Sequence, residues 1–244
     1  MSALAHEIEV RGVPTTVVGL VRPHLEKSQP PRAIFVPFQL GRPFGEPDDK
    51  ALQRRVMMAA LSLFERTDGP VILEDFPEEA PGRLDTHGWK PPFQLPQAAR
   101  PANNDVEGWS RKLTEEMQLV ELHYARAVAQ RGRTTVGISA QPPHAWPAFA
   151  AAFLGPDKPA PPPGLPTSAV ALRFLCDDLK AYYSEAAMSS GSPPSSRQLD
   201  QWFWRETLAG GFLQAVRKAG MASDINALKT VAGRFFVPAP YVEA

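Results

Sequence analysis

An arginine flanked by glycines is the first group in this sequence that could do chemistry. Arg42 stands in a Gly-Arg-Pro-Phe-Gly run between Gly41 and Gly45, after a short apolar segment and before a stretch with helical periodicity. The glycines allow a turn with positive φ and a close approach to a ligand, and a helix N-terminus just beyond favours anions. Because arginine can hold a carboxylate or phosphate with two hydrogen bonds, the run predicts an anion pocket, with Arg22 and Arg32 as supporting cations. The alternative is a structural turn in which Arg42 pairs with a nearby acid.

Candidate acid–base groups follow another apolar segment. Glu74 and Asp75 end the run Val-Ile-Leu-Glu-Asp-Phe, and His87 stands in a loop rich in proline and glycine. A carboxylate can transfer a proton or hold a cationic nitrogen, and a histidine titrates near neutral pH. Adjacent residues on a strand point to opposite faces, so only one of the two carboxylates can face a given pocket. The alternatives are a solvated strand end and a loop histidine without a chemical role.

Spacing and context disfavour metal, nucleotide and thiol chemistry within this chain. Glu116 and His123 share a helix face but lie seven residues apart, roughly 10 Å along the axis, and metal bonds of about 2 Å cannot bridge that distance from one helix. Asp178 and Glu185 have the same spacing. Cys176 falls on an apolar helix stripe with acids directly after it, which predicts a buried thiol rather than a redox nucleophile. The glycines match neither a Rossmann fingerprint nor a Walker loop, so we predict no metal and no bound cofactor.

The elements that must position these residues predict an α/β fold in the first part of the chain. Short apolar or β-branched runs at 15–21, 33–38 and 71–76 are typical of buried strands, and residues 49–66 have the periodicity of an amphipathic helix. This order favours a small parallel sheet, Rossmann-like or flavodoxin-like, within residues 1–100. The loop that carries the glycine-flanked arginine then lies at the carboxyl end of a strand, where open α/β sheets bind ligands.

The remaining residues, 101–244, predict a mainly α-helical part. Apolar stripes at helical spacing run from about 104 to 131 and from 168 to 187, and further helices follow. A proline-rich linker occupies residues 156–166. The threonine- and valine-containing run at 131–139 predicts a turn and a short strand.

Composition excludes several classes of function. The 26 basic and 26 acidic residues balance, so no overall field draws the chain to nucleic acid or to an anionic membrane. No apolar run reaches the ~20 residues of a membrane span, and the N-terminus lacks the pattern of a secretory signal. A single cysteine excludes an internal disulfide. We therefore expect a cytoplasmic protein that binds neither nucleic acid nor a membrane.

The first third of the chain resembles a known protein family. The runs that carry the resemblance, within about Ala5 to Pro81, are GVPTTVVGLVRPH, PPRAIFVPFQLGRPFGEP, QRRVMMAALSLFE and GPVILEDFPEEAP. They resemble the C-terminal part of the selenoprotein B family, the substrate-handling subunits of the glycine, sarcosine and betaine reductases, with the D-proline reductases as relatives. The resemblance is most specific in PPRAIFVPFQLGRPFG. It implies a reductase component that binds a small amine- or carboxylate-bearing substrate.

The resemblance also implies a redox group on another chain. Chemistry in that family depends on a selenocysteine or cysteine motif, to which nothing here corresponds, since Cys176 lies outside the matched runs. The resemblance begins just before the first strand, so either the C-terminal helices cover a reduced sheet or a partner chain supplies the missing strands and the reactive thiol. Arg42 would then anchor a substrate carboxylate, and Glu74 or Asp75 would hold a cationic nitrogen or donate a proton.

Two other functions fit the same residues. One is a non-catalytic binding or scaffold protein that kept the anion loop and lost the redox half. The other is a free-standing enzyme of different chemistry that uses Glu74, Asp75 and His87.

Overall fold

The protein has a mixed α/β fold in which more than half of the residues are helical. The structure is a computed structural model that describes residues 1–78, 87–97 and 99–243. The chain forms two compact units, residues 1–84 and 85–244. The predicted combination of a small parallel sheet with a mostly helical C-terminal part is confirmed. Within the described ranges, no helix combines the length and the apolar character that a membrane crossing needs.

A parallel three-stranded sheet forms the centre of the first unit, with strand order β1-β2-β3. In chain order the elements are α1 (Ser2–Val10), β1 (Val17–Gly19), α2 (Arg22–Ser28), β2 (Arg32–Phe35), α3 (Lys50–Ser62) and β3 (Ile72–Asp75). Phe35 of β2 lies opposite both Gly19 and Asp75, so the three strands end at one edge of the sheet.

The two faces of this sheet pack against different helices. On one face, Ile34 and Ile72 share an apolar core with Leu52 of α3. On the other, Leu25 of α2 lies against Gly19, where an added Cβ would come within 2.6 Å of the leucine side chain. Because side chains alternate along a strand, neighbouring residues at the end of β3 are directed toward different helices.

The regular elements described in the second unit are helices. They are α4 (Val106–Arg131), α5 (Trp146–Ala151), α6 (Ser168–Ala187), α7 (Ser196–Glu206), α8 (Leu208–Ala222) and α9 (Asn226–Val231). Ser195 and Gln198 form a capping box that begins α7. The proline-rich residues 156–166 connect α5 to α6 within this unit.

Aromatic contacts explain why the second unit includes residues before the predicted boundary at 100. Trp89 and Phe93 each contact the ring of Trp202 on α7 edge to face, with centroid distances of 6.3 and 5.8 Å. Edge-to-face pairs of this kind stabilise beyond the area that they bury. The segment 87–97 therefore packs with the helices.

Candidate functional site

Two of the predicted site residues are in direct contact across the end of the sheet. Arg22 is the first residue of α2, just after β1, and Asp75 is the last residue of β3. Nε of Arg22 lies 3.0 and 3.2 Å from the two carboxylate oxygens of Asp75. Arg22 also pairs with Glu26, one turn along α2. This ion pair thus joins the start of α2 to the last residue of β3, at the carboxyl end of the sheet.

This pair is accessible to solvent. The Arg22 and Asp75 side chains are 42% and 53% exposed, so a ligand in solution can reach both. The hydrogen bond from Arg22 to Asp75 raises the pKa of the guanidinium above its usual value. A cation and an anion are therefore presented side by side.

Glu74 contacts a different arginine on the other face of the sheet. Its Oε1 accepts a 2.5 Å hydrogen bond from Arg66, which follows the turn after α3, and Arg66 also pairs with Asp68. A groove of about 390 Å³ lies between the end of α3 and β3, and Arg66, Glu74 and Asp75 are among its lining residues. The two neighbouring carboxylates consequently belong to separate ion pairs.

The side chain of Arg42 is engaged within its own loop. Its Nη1 lies 2.5 Å from Oε2 of Glu46. Arg42 therefore pairs with a nearby acid, which is the alternative to an anion pocket. Gly41 and Gly45 have φ values of +88° and +83°, in the region that favours glycine. Asp49 caps α3 by accepting a hydrogen bond from its first turn. The helix end that was expected to attract an anion therefore already carries a carboxylate.

The other two predicted residues have different surroundings. Arg32 begins β2, at the opposite end of that strand from the Arg22 pair, and its Nη1 lies 2.8 and 2.9 Å from the carboxylate oxygens of Glu9 on α1. His87 is an exposed residue of the second unit, whereas Glu74 and Asp75 belong to the first.

A buried carboxylate on α4 closes the N-terminus of α8. Glu116 accepts hydrogen bonds from the backbone N–H groups of Leu208 and Ala209, at 2.8 and 3.0 Å, and from the Tyr183 hydroxyl at 2.9 Å. Burial raises the pKa of Glu116 above its usual value. Both of its oxygens accept hydrogen bonds, and these bonds link α4, α6 and α8.

Two buried carboxylates on α6 fasten the loop 134–139. Asp178 accepts from the backbone N–H groups of residues 137–139 and from the Ser139 hydroxyl. Glu185 accepts from the backbone of Thr135 and from the hydroxyls of Thr134 and Thr135. The prediction of a short strand within residues 131–139 is therefore wrong. The backbone N–H groups of this run bond to the side chains of Asp178 and Glu185 instead of to a neighbouring strand. Over the described part of the chain, no group of three or more histidine, cysteine and acidic side chains is placed to hold a metal.

The only cysteine of the sequence is a core residue. Cys176 has no exposed surface and packs in the helical core of the second unit. Burial raises the pKa of its thiol to about 12. Since the thiolate is the reactive form of cysteine, this chain presents no thiol nucleophile near neutral pH.

Sequence reasoning missed the arginines that bind the acids around β3. Besides Arg66, Arg55 of α3 holds Glu78 through two hydrogen bonds of 2.7 and 2.6 Å. Arg55 lies on α3 and Arg66 follows the turn after it. A helix that returns along a parallel sheet runs beside the next strand, so the basic residues of α3 and of the turn after it were the available signal.

No family model, curated protein or solved structure matches the chain.

Proposed function

We propose that this chain is the substrate-binding component of a reductase complex of the glycine, betaine or D-proline reductase type, in which a partner chain supplies the redox thiol or selenol. The resemblance of residues 5–81 supports the class of complex. The observation that carries the substrate-binding role is the exposed pair of Arg22 and Asp75 at the carboxyl end of the parallel sheet.

The pair suits a small zwitterion. Arg22 would take the substrate carboxylate in a charge-assisted hydrogen bond, and Asp75 would face the cationic nitrogen. Exposed ion pairs contribute little net stability because both partners remain well solvated. A zwitterionic ligand can therefore replace the ion pair between Arg22 and Asp75 with two contacts of its own, one to each side chain.

The strand order supports a Rossmann-like sheet as the finer description of the fold. In one half of a Rossmann sheet the second strand lies between the first and third, whereas the flavodoxin-like order places the first strand between the second and third. The order β1-β2-β3 has β2 in the middle. Ligands of such sheets bind beyond the carboxyl ends of the strands, which is where Arg22 and Asp75 meet.

The burial of Cys176, the only cysteine in the sequence, supports a partner chain as the source of electrons. Reductive cleavage of a carbon–nitrogen bond takes two electrons and two protons, which a dithiol supplies as it closes to a disulfide. One proton goes to the carbon and the other to the departing amine. Cys176 is single and buried, so it cannot form such a dithiol or meet a substrate.

Calorimetric titration with glycine betaine, sarcosine and glycine tests the binding role. We expect Arg22→Ala and Asp75→Ala each to weaken binding about tenfold, because each removes one charge-assisted contact. Arg42→Ala should have a smaller effect, since Arg42 pairs with Glu46 in its own loop and is not a member of the Arg22–Asp75 pair. Arg11→Ala is the matched control, because Arg11, just after α1, likewise pairs with an acid four residues away in the sequence. Equal affinity in wild type and Arg22→Ala would overturn the proposed site.

Capture of the tagged chain from its source organism, followed by mass spectrometry, tests the partner. We expect a co-purifying chain with a cysteine or selenocysteine motif. Turnover by the purified monomer alone would contradict the proposal.

The buried state of Cys176 equally favours a second candidate, a binding or scaffold protein without a redox half. That candidate predicts ligand binding without any co-purifying thiol or selenol chain. The titration and the capture experiment together therefore separate the two functions.

A further inference from the structure

We propose that the second unit contains a binding site for a small dicarboxylate, in a cavity beside α8, in addition to the function proposed for the first unit. The cavity has a volume of about 260 Å³, and Arg100, Arg217, Lys218 and Glu243 are its charged lining residues.

The residues that line this cavity carry a net positive charge, unlike the chain as a whole. Three cations and one acid line it, although basic and acidic residues balance over the full sequence. A neighbouring cavity of about 450 Å³ shares Arg100 and adds Lys90, Arg205 and Glu206. Positive charge is therefore concentrated around Arg100, which favours an anionic ligand.

Arg100 is held against α8 at a point where the helix has no side chain. A Cβ at Gly211 would collide with the Arg100 guanidinium. The glycine thus lets the guanidinium lie on the helix backbone at the wall of the cavity. An alanine at 211 would displace this flexible arginine without harming the helix, since alanine is the better helix former.

A second arginine on the wall has an unused donor. The Nε atom of Arg217 is buried and finds no hydrogen-bond acceptor among the residues that the structure describes. Because this Nε atom is shielded from solvent, a ligand would meet the guanidinium charge of Arg217, which lines the cavity, rather than the Nε atom itself. Lys218 beside it is exposed and adds a mobile positive charge.

A carboxylate of the chain itself already occupies one side of the site. Oε1 of Glu243 lies 2.8 Å from Nη1 of Arg100. Gln214 positions this segment, because its Nε2 donates to the Tyr241 carbonyl at 2.5 Å and its Oε1 accepts from the Glu243 backbone at 3.4 Å. The Glu243 side chain is 55% exposed, so an external carboxylate can compete with it for Arg100.

These features define the ligand. One carboxylate replaces Glu243 on Arg100, and the other meets Arg217 and Lys218. The short body between the two carboxylates lies against the apolar lining residues Trp109 and Met221. A cavity of about 260 Å³ lies at the small end of ligand pockets, which suits a chain of about four carbons.

Calorimetry on the full chain with succinate, at constant ionic strength, tests the site. We expect Glu243→Gln to tighten succinate binding by about threefold or more, because it removes the competing carboxylate. Gly211→Ala, Arg217→Ala and Lys218→Ala should each weaken binding by about tenfold. Lys229→Ala is the control for loss of one charge, because Lys229 is exposed and does not line the cavity. Circular dichroism melts establish that each variant is folded.

The probes also distinguish the outcomes. Succinamide, which has the same length without charge, should not bind, and inorganic phosphate should bind at least tenfold more weakly than succinate. Equal binding of phosphate and succinate would overturn the dicarboxylate assignment. Unchanged affinity in Glu243→Gln, or equal losses in Lys218→Ala and Lys229→Ala, would overturn the site itself.

Discussion

In the first unit the acids around the end of β3 lie at the surface opposite arginines, whereas the best-held acids of the second unit are buried against backbone N–H groups. Asp75 is 53% exposed beside Arg22, while Asp178 is 1% exposed and accepts from three successive N–H groups. Water can replace either partner of the surface pair, but nothing replaces the acceptors of a buried N–H group. The surface acids are therefore free to exchange partners with a ligand, and the buried ones fix the fold.

The largest effect should come from removing a buried acid. Asp178→Ala should lower the free energy of unfolding by about 4 kcal/mol, because three backbone N–H groups lose their acceptor. Urea denaturation measures this loss. Asp177→Ala is the control, since Asp177 is partly exposed and pairs with Lys180. Similar losses in the two variants would show that Asp178 does not anchor the loop 134–139.

The next effect concerns the acid that joins α4 to α8. Glu116→Ala should cost about 3 kcal/mol of unfolding free energy, since Leu208, Ala209 and Tyr183 lose a shared acceptor. Glu115→Ala, at an exposed neighbouring position, should have little effect. If both variants unfold at the same urea concentration, the cap on α8 is not important for stability.

The titration of Glu116 predicts how the stability that this buried acid contributes depends on pH. Burial raises its pKa in the folded protein above the ordinary value of 4.5, so ionisation costs more in the folded than in the unfolded chain. The stability of wild type relative to Glu116→Gln should therefore be greatest below pH 4.5 and fall as the pH rises through the raised pKa. Urea denaturation of both proteins across this range measures the difference. A difference that grows with pH would contradict the direction of the shift.

A smaller effect is expected at the core thiol. Cys176→Ala should cost about 1 kcal/mol through a small cavity. In wild type, a thiol reagent such as Ellman's reagent should react only at the rate of unfolding, because the thiol is buried and its pKa is raised to about 12. Rapid labelling of the native protein at pH 7 would refute the assignment of Cys176 to the core.

The smallest effect should come from the surface pair. Arg22→Ala and Asp75→Ala should leave the midpoint of urea denaturation unchanged within error, because exposed ion pairs add little. A clear loss of stability in both variants would mean that the pair stabilises the sheet rather than serving to bind a ligand.

Local signals in the sequence predicted local structure well. The helical periodicity of residues 49–66 corresponds to α3, which runs from Lys50 to Ser62. The strand runs were recognisable because apolar β-branched residues fit a buried sheet. Helix α2 was missed, since its seven residues between two strands are too few for a helical periodicity to appear.

Contacts between residues far apart in the sequence determine the features that local sequence patterns did not predict. The threonine-containing run before Ser139 has strand propensity, but Asp178 and Glu185, 39 and 50 residues after the groups that they bind, accept from its N–H groups. Arg42 had the more suggestive loop, yet the strand-end acid Asp75 pairs with Arg22, 53 residues away. No local pattern encodes either pairing, because both depend on how the elements pack.

The most direct test of the proposed function is the NMR resonance of the Arg22 Nε–H group during titration of the full chain with glycine betaine. We predict that this resonance shifts and saturates as the ligand carboxylate replaces Asp75 as its acceptor, and that Asp75→Ala weakens the response. A resonance that stays in place while other signals report binding, or the absence of any saturable shift, would contradict the account.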